Sequence, residues 1–345
     1  MLKGIYKFGF VVLLVLGTLI VLSAETWFYA WLGLEMNMLA FIPLMMRTNN
    51  SLNAEAGLKY FLVQASASLM LLMVVLAKEV WVNTFLETGY EGIKVWGLGL
   101  ILAVSMGMAP VHFWFPDIVE HLSWSSLMIL LIWQKIAPLT LMSNVAWAGW
   151  GSSVLILCSV AVGGVGGLIQ TSLTKLIAYS SIAHMGWMVG AMKLGENEWM
   201  IYFGVYAILT FSVVWNFSQE NCYELAHLWL KNSFSDKTKL SMCLSVLSMG
   251  GLPPFLGFFP KWMVISGLMQ LGETPLVLFM VLMAVVTLYY YFRMVFVICM
   301  HLNTSPSTEF FWPAEEGGVS THFFQWGSMG IIGLNLSGLG LILGW

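Results

Sequence analysis

The chain has 345 residues, 59% of them hydrophobic and only 9% charged, with a formal net charge of -3. A soluble domain carries about 25% charged residues, so the composition excludes an ordinary soluble enzyme, and the slight negative balance argues against an electrostatic binder of nucleic acid. The four cysteines form no C-x-x-C pair, and Cys158, Cys243 and Cys299 lie in apolar runs as small hydrophobes, so neither a disulfide nor a metal site is expected.

Apolar runs of about 20 residues cross a bilayer as helices. Eleven are predicted in chain order, at roughly 6–23, 27–46, 58–78, 94–114, 122–146, 149–169, 174–193, 199–217, 239–271, 275–300 and 324–344. The fold class is therefore all-α, a polytopic membrane protein of about 11 transmembrane helices. The first run is followed by Glu25 and Trp27, not by a small-residue cleavage site, so no cleavable signal is expected. The fifth run carries Lys135 and, three residues on, Pro138. A proline removes a backbone hydrogen bond and breaks or kinks a helix. The ninth run repeats the pattern at Gly250-Gly251-Leu252-Pro253-Pro254 through Pro260-Lys261-Trp262. Two interrupted helices are expected, around Lys135–Pro138 and around Pro253–Lys261.

Between the spans, 218–238 sets Leu225, Leu228 and Trp229 at helical spacing beside Glu224, Lys231 and Lys237. It reads equally as a helix lying on the membrane surface or as a solvated loop. Segment 301–323 holds Pro306, Pro313 and Glu315-Glu316-Gly317-Gly318 and reads as an inside-facing loop, with 324–344 as the last helix. Lysine and arginine placement sets orientation. With the N-terminus inside, nine of the 14 basic residues fall on the inner side, three on the outer side, and Lys135 and Lys261 within the membrane. Eleven spans then put the C-terminus outside.

A lysine near the bilayer centre costs ~2.5 kcal/mol or more and normally has a functional reason to be there. Glu35 is the acidic counterpart, near the middle of the second span. At such depth the protonation state of a side chain depends on whatever charge or water lies nearby, so Glu35, Lys135 and Lys261 are candidate proton-holding sites. The structural alternatives are a hydrogen-bonded neutral carboxyl for Glu35, an ion pair for Lys135 and snorkelling to the interface for Lys261. His112 and His184 lie in or near spans, and histidine titrates close to neutral pH; for either alone, a satisfied buried ring is the commoner reading. Lys59 and Glu55 stand four apart where the third span begins, with Gln64 a further turn in, which is most simply an ion pair at a helix end. The glycine-rich run Ala161–Gly167 falls inside a span, where close helix packing explains it. No nucleophile–base pair, phosphate loop, zinc spacing, haem motif or dinucleotide fingerprint is present, so the chain handles charge without a redox centre of its own.

Several stretches resemble a known family. They are Gly33-Leu34-Glu35-Met36-Asn37-Met38-Leu39-Ala40-Phe41-Ile42-Pro43, Leu58-Lys59-Tyr60-Phe61-Leu62-Val63-Gln64-Ala65, Met108-Ala109-Pro110-Val111-His112-Phe113-Trp114, Trp133-Gln134-Lys135-Ile136-Ala137-Pro138, Ala178–Trp187 and the second proline-broken run ending at Lys261-Trp262. Together they span about residues 25–295 and resemble the antiporter-like proton-pumping family of subunit 2 of mitochondrial NADH:ubiquinone oxidoreductase, respiratory complex I. The resemblance implies a single antiporter-like transmembrane domain over 1–345, in the mitochondrial inner membrane, with its N-terminus on the matrix side. It implies partners among the other membrane-arm subunits, including neighbouring antiporter-like ones, and phospholipid. NADH, FMN, iron–sulfur clusters and ubiquinone would sit elsewhere in the complex, with no cofactor and no metal in this chain.

By the same resemblance Glu35 is the carboxylate of the second span, Lys135 the central lysine and Lys261 the lysine of the second broken helix, forming an axis with Ser105 between Glu35 and Lys135. Position 105 departs from the family, which usually has a lysine there as partner to the glutamate. His112 is seven residues from Ser105; on one helix the two share a face, and His112 is expected to take part of the missing lysine's role. A stand-alone cation/proton antiporter, and a scaffold subunit that no longer pumps, remain alternatives at this point.

Overall fold

The structure, a computed structural model, describes residues 2–46, 51–81, 87–145, 150–230 and 236–300 of the 345. With no water in the bilayer core, each spanning segment must satisfy its backbone internally, and helices do so. The described residues are accordingly almost all helical. In chain order the helices are α1 (Leu2–Leu22), α2 (Trp27–Met45), α3 (Ser51–Trp81), α4 (Glu87–Met106), α5 (Trp114–Glu120) and α6 (Trp124–Met128). A π turn at Ile129–Trp133 leads into α7 (Gln134–Asn144), followed by α8 (Trp150–Ile169), α9 (Leu173–Met192), α10 (Glu196–Gln219), α11 (Leu225–Leu230), α12 (Asp236–Gly250), α13 (Phe258–Gln270) and α14 (Thr274–Met300). Among the described residues six helical stretches are long and apolar enough to cross a membrane: Trp27–Met45, Ser51–Ala77, Trp124–Asn144, Trp150–Ile169, Glu196–Gln219 and Thr274–Met300. Tyr6–Leu22 and Trp96–Met106 are shorter apolar helices. The predicted loop 301–323 and last helix 324–344 lie outside the described residues.

The chain forms two compact units, Met1–Val162 with Ser181–Glu196, and Gly163–Ser180 with Asn197–Trp345. In the first unit α1 packs along α2, α2 along α3, α3 along α4, and α7 against α1, α2 and α4. Its core includes Phe41, Leu102, Ile118, Leu127, Leu131, Ala137 and Leu139, all without exposed surface. In the second unit α14 packs against α11, α12 and α13. Asn216 of α10 ties to α12 by donating to the Ser241 carbonyl at 3.3 Å and to Ser245 Oγ at 3.1 Å. Arg293 of α14 donates to the Leu168 and Gln170 carbonyls at 2.7 and 2.6 Å, taking up acceptors that the end of α8 leaves without intrahelical donors.

Two sequence expectations change and one open alternative is narrowed. The fourth predicted span, 94–114, ends as a helix at Met106, because Gly107 takes the left-handed region at φ 72. His112 therefore lies in the turn before α5, not on α4, and shares no helical face with Ser105. The disturbance beside Lys135 is also not at Pro138. Helix α7 runs through that proline, and the departure from α geometry is the π turn just upstream. The ambiguous 218–238 segment contains the short helix α11. The second interruption is where it is expected, with α12 ending at Gly250 and α13 beginning at Phe258.

Candidate functional site

Glu35 stands on α2 where α2, α3, α4 and α7 meet. The polar groups around it come from residues scattered along apolar helices: Asn37 beside it on α2, Tyr60, Gln64 and Ser68 on α3, Ser105 on α4 and Gln134 on α7. They line a cavity with about 30 Å³ of free space. One water needs roughly 10–15 Å³, so the cavity admits water. Among the described residues no lysine, arginine or histidine lines it.

The hydrogen bonds inside this cluster run between helices. Ser68 Oγ donates to Glu35 Oε1. Gln64 Nε2 donates to the Ser105 carbonyl at 2.8 Å, while Ser105 Oγ turns back to the Leu102 carbonyl of its own helix, also at 2.8 Å. Tyr60 Oη donates to Gln134 Oε1 at 3.3 Å, and Gln134 Nε2 donates to Asn37 Oδ1 at 3.4 Å. Gln134 thus links α3 and α2 through one amide. Its backbone carbonyl sits four residues before Pro138, which has no N–H to give it. Sequence reasoning singled out Glu35 and Ser105 but missed Asn37, Tyr60, Ser68 and Gln134, and it left Gln64 beside an ion pair at a helix end. The available signal was a set of neutral polar side chains inside runs of hydrophobes.

Lys135, the next residue, is 2% exposed. Its Nζ lies 5.7 Å from the centroid of the Phe115 ring, within the range of a cation–π attraction. Phe115 packs tightly on Gly107: a Cβ there would lie 2.8 Å from the Phe115 Cβ. The glycine that ends α4 thereby also admits the ring next to the lysine.

In the second unit Lys261 is also buried. It follows Pro260 in the first turn of α13, and its Nζ donates to the Gly250 carbonyl at the end of α12, at 2.9 Å. Gly251 has φ 77 and leaves room for this side chain; a Cβ there would come within 3.0 Å of Lys261 Cδ. Lys261 therefore does not snorkel to an exposed position.

The remaining predicted residues are placed as follows. His184 is buried on α9. His112 is buried in the turn, its Nδ1 donating to the Pro110 carbonyl at 3.2 Å. Neither lines the Glu35 cavity. Lys59 pairs with Glu55 at 2.9 Å on an exposed surface, where an ion pair contributes little. Among the described residues no group of three or more His, Cys, Asp or Glu is placed to hold a metal ion. The chemistry this arrangement supports is proton exchange: one carboxyl in a polar, water-sized space and two buried amines, each next to a departure from regular helix.

Comparison with known proteins identifies the family. The profile of the family described as NADH:quinone oxidoreductase/Mrp antiporter, TM, matches residues 24–287. The NADH-ubiquinone oxidoreductase chain 2 of Anopheles gambiae is 42% identical over 293 residues, covering 84% of this chain and 85% of its own. That of Locusta migratoria is 38% identical over 301 residues, 87% of each chain. Among solved structures, a chain of respiratory complex I from Thermus thermophilus with bound aureothin superposes with a TM-score of 0.83 at 24% identity, covering 98% of this chain and 79% of that one. A chain of the Mrp complex from Dietzia sp. gives 0.79 at 16% identity, with 97% and 75% covered. These two likenesses concern the fold.

Proposed function

Since the chain belongs to the NADH:quinone oxidoreductase/Mrp antiporter transmembrane family, we propose that it is the core membrane subunit 2 of a proton-translocating NADH:ubiquinone oxidoreductase. The observation that carries this reading is the 42% identity to a chain of that name over most of both sequences. The subunit is part of an oxidoreductase, but its own share of the work is moving charge. Other subunits hold the NADH site, FMN, the iron–sulfur clusters and the ubiquinone site, and other membrane-arm subunits and phospholipid surround it. It is a multi-pass protein of the mitochondrial inner membrane, with about eleven spans in one antiporter-like domain, its N-terminus on the matrix side and its C-terminus on the intermembrane-space side.

Glu35, Lys135 and Lys261 are the proton-exchanging groups. Burial supports this for both lysines, and the polar cavity supports it for Glu35. Protonating one such group changes the field at others nearby, and in a low-dielectric interior that change is large. Ser105 takes part only as a wall of the cavity, since its hydroxyl is turned to Leu102. His184, His112 and Lys59 are secondary candidates, the last two weakened by their positions. Two measurements test the reading. In a native membrane preparation the chain comigrates with NADH-oxidising activity; migration alone would instead indicate a stand-alone antiporter. Lys135→Ala in the reconstituted complex lowers NADH-driven proton translocation at least about tenfold; unaltered pumping would leave the subunit a scaffold.

A further inference from the structure

On the α7 side the Glu35 cavity is walled by Gln134, one residue before Lys135. A glutamine amide does not readily pass a proton on; a hydroxyl does, because it both accepts and donates. Of the hydroxyls on the wall, that of Ser68 is bonded to Glu35 and that of Ser105 to the Leu102 carbonyl. The third belongs to Tyr60, and it points to Gln134. We propose that Tyr60 is a proton-transfer residue of this chain, its hydroxyl linking the water of the Glu35 cavity to Lys135, in the role that a lysine at position 105 would fill. The proposal rests on the proton-pumping reading above.

Three observations converge on Tyr60. Its side chain is 2% exposed and lines the cavity. Gln134 fixes the direction of its O–H: with Nε2 engaged on Asn37, the amide presents Oε1 to the phenol. Gln134 is thus a positioning residue. The ring of Tyr60 lies in an aromatic row, 5.3 Å from Phe41 and 6.3 Å from Trp114, with Trp114 5.6 Å from Phe115 and Phe115 under the Lys135 amine. Between Tyr60 and Phe115 in that row, the Trp114 Nε1–H is buried with no acceptor among the described residues. A buried donor left unmatched costs ~1–3 kcal/mol, so this point of the row favours a water.

The step balances without an ionised tyrosine. Glu35 gives its carboxyl proton to cavity water, and that water gives a proton to Tyr60 Oη. The phenol's own proton leaves to water on the other side and from there to the Lys135 amine. One O–H bond at Glu35 is broken and one N–H bond at Lys135 is formed. Tyrosine and water end as they began, after the hydroxyl has turned back to Gln134.

The test uses the intact complex in sealed membrane vesicles, with rates normalised to assembled complex on a native gel. Tyr60→Phe keeps the ring and removes the hydroxyl. NADH-driven proton uptake is expected to fall at least about tenfold, and Ser105→Lys in the same chain is expected to restore it. Gln134→Leu is expected to fall less and to be restored in the same way. A full rate in Tyr60→Phe overturns the proposal. A low rate that Ser105→Lys does not restore also overturns it, because a packing role for Tyr60 predicts that result. Lys135→Ala run alongside separates the two levels. Unaltered pumping there removes the pumping reading itself, whereas loss there with a full rate in Tyr60→Phe removes only the assignment of Tyr60.

Discussion

Lys135 and Lys261 are both buried amines placed next to irregular backbone, yet the two sites hold them by different means. At Lys135 the helix is never opened: a π turn widens it, α7 continues past Pro138, and the amine rests against the Phe115 ring. At Lys261 the helix is cut, and the amine takes the Gly250 carbonyl that the cut leaves at the end of α12. A ring face attracts the ammonium only while it is charged. A carbonyl accepts from an ammonium or from a neutral amine, since both keep an N–H. The comparison teaches that one chain can set one buried lysine against a ring, a contact that follows its charge, and another on a carbonyl, a contact that survives losing it.

The comparison can be broken most severely at Gly257. A Cβ there would run into the Ser248 backbone carbonyl, and backbone cannot swing aside. Gly257→Ala is expected to cost about 3 kcal/mol and to cut the amount of assembled complex several-fold on a native gel. No glycine in the π turn has an equivalent role. Gly251→Ala is the next largest. It forces a side chain into φ 77 and against Lys261, at about 1–2 kcal/mol for the left-handed backbone alone. The complex is expected to assemble, to melt at a lower temperature and to pump more slowly; wild-type melting and pumping together would show that Gly251 is not needed to seat Lys261. Phe115→Leu sharpens the contrast with the smallest change. It removes ~0.5–2 kcal/mol of cation–π attraction, so NADH-driven pumping is expected to fall by no more than about 30-fold, with normal assembly. A loss beyond about a hundredfold would mean that the ring does more than hold the charge.

Much of the helical layout is legible in the sequence, because hydropathy alone dictates helices in lipid. The predicted 27–46, 149–169 and 275–300 correspond to α2, α8 and α14 within a residue or so. The failure at 94–114 has a definite cause. The run stays apolar through Gly107 and Pro110, and a hydropathy window responds to apolarity, not to a left-handed glycine. The broken stretch before Lys261 was readable because two adjacent prolines and two adjacent glycines leave no helical alternative. The π turn was not, because Ile129–Trp133 has no residue that marks it. In the site, charge made Glu35, Lys135 and Lys261 visible. Tyr60, Asn37, Ser68 and Gln134 are neutral, and their partners lie 33, 74 and 97 residues away in sequence. No local period reports such contacts.

The π turn has one more effect, on which side chain is presented where. Successive residues of an α-helix are about 100° apart, and a π turn takes up a residue more than an α turn of the same span. Everything after Trp133 is therefore one step out of phase with Trp124–Met128. Because of that phase, the amide of Gln134 stands at the cavity wall and the amine of Lys135 stands against Phe115. Loss of a single codon within 129–133 would restore regular helix and leave Gln134 and Lys135 in place, whereas straightening the turn with every residue kept would bring Trp133 to the cavity wall and Gln134 against Phe115. The identity of the group facing Glu35 is thus set by the turn upstream as well as by the choice of side chain at the site.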